Sequence, residues 1–327
     1  MLNNPESAAF QAALAVHAKL SRQYISGSAS SSFDPFAAMM PRPTTNVVAV
    51  GIGPAEVKGK LTEELAIKLF VERKFSRDEL SEEDLLPNQV DNVRIDVVES
   101  GRIIRHIDPK QRFRPVQPGC SIGYADPTGQ TIMAGTLGAI VTDGADQFLL
   151  SNNHVLADQN NLPIGSPIFQ PGLLDHGRNP TDRVADLSQF VPLSLSGNTV
   201  DCAIAKVDDP KSVSNKVLQI GAPSGTVAAA LGLAVQKFGR TTSYTKGTIT
   251  SIHTSVQVGY EMGTLTFSDQ IIIAGDNGSA FSNAGDSGSL ILDMNNQAVG
   301  LLFAGSTATT IANPIANVLA ALNVKLV

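Results

Sequence analysis

The chain has 327 residues, a formal net charge of −6, no Trp and few aromatic residues. Without a basic block or aromatic platforms it is a poor candidate for nucleic acid. No run approaches the ~18 apolar residues of a membrane span, so no membrane is expected as partner. Its length allows one or two domains with a sizeable core.

The N-terminus lacks a basic n-region, and Glu6, His17 and Lys19 break its apolar stretch, so it does not read as a secretory signal. Cys120 and Cys202 are the only cysteines, too few for a disulfide framework. These features together read as a cytoplasmic protein with reduced thiols. Residues 1–24 are expected as an amphipathic helix capped near Asn4, with Phe10, Leu14, Val16 and Leu20 on its apolar face. Residues 25–45 are rich in Ser, Ala and Pro and read as a linker, so 1–45 form helix plus linker.

A small α/β domain is expected over residues 46–105. Three runs, NVVAVGIG, AIKLFVERKF and VRIDVVESG, read as strands, and SRDELSEEDLL reads as helical with Ser76 as cap and Glu79 three residues on. Gly51 and Gly53 lack the third glycine of a dinucleotide loop and are discounted.

From about residue 106 the texture changes. Short β-rich runs such as GTLGAIVTD, QFLLSNNHVLA, TVDCAIAKV, KGTITSIHTSVQV and SLILDMN alternate with Gly, Pro, Asn and Asp. Many short strands at this spacing suggest a sandwich or barrel. Two barrels, about 113–220 and 221–327, would fill residues 106–327. The end, PIANVLAALNVKLV, reads as helical.

Serine needs a base to become a nucleophile at neutral pH, and the base needs an orienting carboxylate. His154 follows an apolar strand in FLLSNNHVLA, Asp201 opens another in TVDCAIAKV, and Ser287 lies in GDSGS. Alone, GDSG reads as a turn. His176 and His253 lack comparable contexts and read as surface residues, Cys202 as a small buried filler, and Ser279 in GDNGSAFS as a decoy. The order His, Asp, Ser is that of the chymotrypsin-type arrangement, and GDSGS fails the GxSxG elbow.

On SNNHV, DCAIA, GDSGS, GRTTSYTKGTI and AVGLLFAGS, in that order, residues ~113–327 resemble trypsin/chymotrypsin-like serine peptidases of the bacterial, disulfide-free kind. AVGIGPAEVKGKLTEELAIKLFVERK, LLPNQVDNVRIDVVESG and IFQPGLLDHG resemble a narrower group of trypsin-like proteins with an added α/β domain, which includes the plant Narrow Leaf 1. The resemblance implies a mainly β chain, a chymotrypsin-like double β-barrel with an N-terminal helix and small α/β domain.

It also implies roles. Ser287 would attack, His154 move the proton and Asp201 hold the His154 tautomer, with Gly285 and Ser287 supplying oxyanion-hole amides. Asp286 would be buried on a cation that keeps the hole in shape, with Lys237 as first partner and Arg240 as second. The substrate pocket would have its base at Phe281, continue through Ser282, Asn283 and Ala284, and face Phe303, Ala304 and Gly305. Without a carboxylate there, apolar or small side chains are expected before the cut, because an unpaired buried ammonium is costly. No cofactor and no metal are called for. The implied partner is a protein or peptide substrate, and residues 1–105 are the place for a homo-oligomeric or regulatory contact that restrains activity. The competing readings are a catalytically idle scaffold or adaptor on the peptidase fold, and a non-peptide acyl hydrolase.

Overall fold

The computed structural model describes residues 5–25, 46–101, 103, 107–125 and 132–327. From residue 26 on, the expected linker lies outside the described residues, as does Asn4. The chain divides into two compact units, Met1–His106 and Ile107–Val327.

In the first unit, helix α1 (Ala8–Tyr24) is capped by Ser7, whose hydroxyl accepts from Phe10 N at 3.2 Å. It buries Ala13, Val16 and Leu20, a spacing that keeps one face toward the core. The apolar face is therefore rotated from the expected one, and Leu14 is 40% exposed. The helix packs on a sheet of β1 (Val47–Val57), β2 (Lys60–Val71), β3 (Gln89–Val90) and β4 (Val93–Glu99), in the order β1-β2-β4-β3. Their shared core includes Ile67, Leu69, Val93 and Ile95. Two-residue turns with positive φ, Lys58-Gly59 and Asp91-Asn92, close the two hairpins. The helix expected at 76–86 is absent. Two 3₁₀ turns stand there, Arg77–Glu79 and Glu82–Asp84, each with its own capping box on Ser76 or Ser81. Two caps five residues apart each start a turn, and their side chains compete with helix propagation between them.

The second unit is mainly β and has the chymotrypsin-like double-barrel arrangement. Its first half holds β5 (Ser121–Tyr124), β6 (Gly135–Thr136), β7 (Ala139–Thr142), β8 (Gln147–Ser151), helix α2 (Asn153–Leu156), β9 (Pro167–Phe169), β10 (Arg183–Phe190) and β11 (Ala203–Val207). Strands run in the order β7-β8-β11-β10-β9-β5-β6. Because β6 and β7 are the two ends of one bent segment, pairing with β5 and with β8, the ring closes.

The second half holds β12 (Gly225–Thr226), β13 (Ala234–Gly239), β14 (Ser243–Tyr260), β15 (Gly263–Gly275), β16 (Leu290–Asp293), β17 (Gln297–Gly305), β18 (Thr310–Pro314), helix α3 (Ile315–Leu322) and β19 (Lys325–Leu326). Strands β17-β16-β13-β14-β15-β18 form a ring closed by the β17–β18 pairing. The helix expected through the C-terminus stops at Asn323, which takes a left-handed conformation, and β19 pairs with β7 of the first barrel.

Strand alternation explains why β13 and β16 are buried on both sides. In β13, Val235 faces the second barrel's interior while Phe238 enters the core shared with the first. In β16, Ile291 does the former, and Leu290 and Leu292 the latter. Phe238, 1% exposed, joins a core that includes Leu149, Leu150, Ile204, Leu290 and Leu301. Truncating it leaves a cavity that neither barrel can close. Phe238→Ala is expected to cost about 3–5 kcal/mol, read from chemical denaturation of the full chain by circular dichroism. A loss below about 1 kcal/mol would contradict this shared core.

Candidate active site

Antiparallel pairing of β8 with β11 sets Ser151 opposite Ala203. The residues just after β8 and just before β11 therefore meet at one end of the first barrel. His154 lies in α2, and its Nδ1 is 2.6 Å from Asp201 Oδ2. Asp201 is fully buried. Its Oδ1 accepts from Asn153 N at 2.7 Å and, at 3.4 Å, from His154 N. Asn152 Nδ2 donates to the Asp201 carbonyl, and the Asp201 amide donates to Asn313 Oδ1. The two asparagines before His154 thus fix the strand end and the carboxylate together.

The remaining donor comes from the other barrel. Tyr260, at the tip of the β14–β15 hairpin, donates its hydroxyl to Asp201 Oδ2 at 2.6 Å. Burial, with the Asp201 charge beside it, pushes the phenol pKa far up, so Tyr260 remains a donor. Its ring meets His154 edge-on at 5.9 Å between centroids.

Ser287 follows Asp286 in the loop before β16. Its carbonyl accepts from Thr136 N at 2.8 Å, and Thr136 O accepts from Ser151 Oγ, three residues before His154. The Ser287 loop is thereby linked to the end of β8, just before His154. The close approach is possible because residue 288 is glycine, with φ +93: a Cβ there would stand 2.1 Å from Ser151 Oγ and Thr136 O. Ser287 Oγ makes a long hydrogen bond, 3.4 Å, to Phe303 O. Among the described residues no hydrogen bond joins it to His154. The structure therefore couples His154 to Asp201, while the Ser287 hydroxyl is held by Phe303 O.

Gly285 has φ +94, a conformation open to glycine. Among the described residues the amides of Gly285 and Ser287 have no protein acceptor, whereas Asp286 N, Gly288 N and Ser289 N are all used. Two free amides in one turn, a serine's own and that of the residue two before it, are what an oxyanion needs.

Asp286 is fully buried and points away from His154. Its carboxylate accepts from Thr241 N (2.8 Å), Thr242 N (3.1 Å), Thr242 Oγ1 (2.6 Å) and Asn283 N (2.9 Å). Lys237 Nζ lies 3.4 Å from Oδ2 and donates to Thr242 Oγ1 and Ser243 O. Lys237 is therefore the cation on Asp286. Arg240 instead forms a two-pronged pair with Asp175 at 2.5 and 2.6 Å. Burial drives the Lys237 pKa down to about 8, against the opposing pull of Asp286.

The pocket residues are divided. Phe281 is 2% exposed and packs in the second barrel's interior with Ile249, Ile273 and Ile291. The ring expected at the base of the pocket is thus part of the second barrel's core. Phe303 is likewise buried, against Leu193, Leu265 and Phe267. Ser282 is buried with its hydroxyl on Thr310 Oγ1. Asn283, Ala284 and Gly305 are exposed, with Ala304 half-buried. His176 is exposed, and the exposed His253 pairs with Asp269. Ser279 is exposed, its hydroxyl on Asp276 O. Among the described residues no cluster of His, Cys, Asp and Glu is arranged to hold a metal, and no helix is long and apolar enough to cross a membrane. Both cysteines are buried free thiols.

Sequence reasoning missed Tyr260, Asn313 and the threonine donors to Asp286. Thr241 and Thr242 lie in GRTT, a motif visible in sequence. Tyr260 and Asn313 carry no local signal, because their distance from Asp201 is closed only by the fold.

Residues 198–312 match the family described as the Nal1 C-terminal domain. Protein NARROW LEAF 1 of Oryza sativa subsp. japonica is 28% identical over 276 residues, 72% of this chain and 46% of that protein. The chain thus spans less than half of that relative's length. Among solved structures, a glutamic acid specific serine protease that uses a histidine triad in substrate binding is 20% identical, covering 65% of this chain and 100% of its own, with a TM-score of 0.47. Thermobifida fusca Protease A is 18% identical over 65% of this chain and 99% of its own, also with a TM-score of 0.47. Cellulomonas bogoriensis chymotrypsin is 23% identical, covering 65% of this chain and 98% of its own, with a TM-score of 0.44.

The Lys237 shift has a measurable consequence. The side chain titrates near 10.5 when unfolded and about 8 when folded. Between these values the unfolded chain holds more protons, so this residue makes stability rise with pH across that interval. Wild type is expected to gain stability relative to Lys237→Met as pH rises from 8 toward 10.5, in paired denaturation curves. A stability difference that is flat or falls over this range would contradict the assignment.

Proposed function

We propose that residues 107–327 form a serine endopeptidase that hydrolyses peptide bonds through an acyl-enzyme. The observation that carries this reading is the 2.6 Å contact between His154 Nδ1 and the fully buried Asp201, together with the free amides of Gly285 and Ser287. Asp201 accepts the Nδ1 proton, which leaves Nε2 as the base. Rotation about the Ser287 Cα–Cβ bond releases the long contact to Phe303 O and turns the hydroxyl toward that base. Ser287 Oγ then attacks the substrate carbonyl while its proton passes to His154. The oxyanion is received by Gly285 N and Ser287 N. Collapse expels the amine, which takes the proton from His154, and water repeats the sequence to free the acid. Losing one oxyanion donor typically costs about 3–4 kcal/mol in such a barrier.

Small or apolar side chains are the proposed preference before the cut. The accessible part of the pocket segments, Asn283, Ala284, Ala304 and Gly305, is uncharged, and the preceding Phe281 is apolar and buried. A second reading, an idle scaffold, is favoured by the engagement of Ser287 Oγ with Phe303 O.

A fluorophosphonate probe decides between them. Wild type should gain one adduct by intact mass, and Ser287→Ala none. An unlabelled wild type would favour the scaffold, and labelling that persists in the variant would remove Ser287 from its role. In a peptide-library digest, Ala, Leu, Met or Phe should precede the cut at least ~100-fold more efficiently than Lys or Arg, about 3 kcal/mol for an unpaired ammonium. Cuts dominated by Lys or Arg would overturn the preference, and turnover of esters without any peptide cleavage would point to a non-peptide acyl hydrolase.

A further inference from the structure

The β14–β15 hairpin runs well beyond the ring of the second barrel. Its strands span Ser243–Tyr260 and Gly263–Gly275, and register shifts between Ile249 and Val256 bend it. The far end leans on a first-barrel loop. Thr266 N donates to Leu195 O, Ser268 N to Asn198 O, Asn198 Nδ2 to Thr266 O, and Glu261 N to Gln159 Oε1. Beneath it, Leu193, Leu265, Phe267 and Phe303 form a separate small core, on which the Tyr260 ring packs. Tyr260 and Phe267 stack with ring centroids 5.9 Å apart. The tip is thus held in place by contacts that do not involve Asp201.

An ionised carboxylate has about four acceptor sites. In Asp201, Asn153 N and His154 N take Oδ1, and His154 Nδ1 and the Tyr260 hydroxyl take Oδ2. Tyr260 supplies the one side-chain donor that reaches this oxygen from the opposite barrel. It shares the oxygen on which the His154 orientation depends.

We propose that Tyr260 is a positioning residue for His154, acting through Asp201, and that the β14–β15 hairpin exists in part to deliver its hydroxyl. Two donors on one oxygen compete, so the phenol both fixes the plane of the carboxylate and limits how far the imidazole is drawn toward it. Loss of the hydroxyl leaves Oδ2 to His154 alone and draws the imidazole further toward it, while Oδ1 stays on the Asn153 and His154 amides. The consequence for rate rests on the peptidase reading; the hydrogen bond does not.

Tyr260→Phe in the full chain tests this, since it keeps the ring against Phe267 and His154. The first measurement is the proton NMR resonance of His154 Nδ1–H, assigned by its loss in His154→Ala. It should move further downfield in Tyr260→Phe, as Oδ2 is no longer shared. The second is the rate of fluorophosphonate labelling at Ser287, which should slow roughly threefold to tenfold, the part of one charge-assisted hydrogen bond felt at the transition state. Tyr260→Leu, which loses ring and hydroxyl together, should perturb both at least as much. An unmoved resonance, or a moved one with labelling at the wild-type rate, would overturn the proposal. If wild type is not labelled at all, the peptidase reading fails, and the resonance alone still decides whether Tyr260 positions His154.

Discussion

A carboxylate removed from water is costly unless the protein supplies donors to both of its oxygens. Asp201 is such a group, and the barrel architecture converges on it. Strand pairing between β8 and β11 brings Asn153 and His154 to it. The second barrel contributes Asn313 to its backbone and Tyr260 to its side chain. Gln270 in turn holds Asn313 Nδ2 and reaches Thr199 O. Misplacing either barrel would strand a buried charge, so the correct docking of the two is enforced at the place where orientation matters most.

A second buried carboxylate organises the neighbouring loop by a different balance. Asp286 takes three backbone amides and one hydroxyl as well as Lys237. Most of its hydrogen bonds therefore come from fixed dipoles, and Lys237 is a weakly held cation for which burial outweighs the attraction of Asp286. With the carboxylate tied back toward Thr241 and Thr242, the loop's remaining amides at Gly285 and Ser287 are left free.

Much of this was legible in sequence because the informative residues sit in short contexts. GDSGS, SNNHV and DCAIA each hold a residue beside the neighbours that constrain it, and alternation in β13 points Val235 and Lys237 to one side. What was not legible has physical reasons. The two capping boxes at Ser76 and Ser81 replaced a helix with two turns, a competition between local hydrogen bonds that periodicity does not weigh. The burial of Phe281 is set by closure of a ring of strands, which no local stretch of sequence encodes. Tyr260 meets Asp201 only because a bent hairpin crosses to the other barrel.

The account turns on one rearrangement, the transfer of Ser287 Oγ from Phe303 O to the reacting carbon with the charge received by Gly285 N and Ser287 N. A crystal structure of the wild-type chain with a peptide boronate that has Ala or Leu at its reactive end tests it directly. The account predicts a covalent bond from Ser287 Oγ to boron, a boronate oxygen within hydrogen-bond distance of both amides, and His154 Nδ1 still on Asp201. A boronate bound elsewhere, or Ser287 Oγ still on Phe303 O beside an unreacted inhibitor, would contradict it.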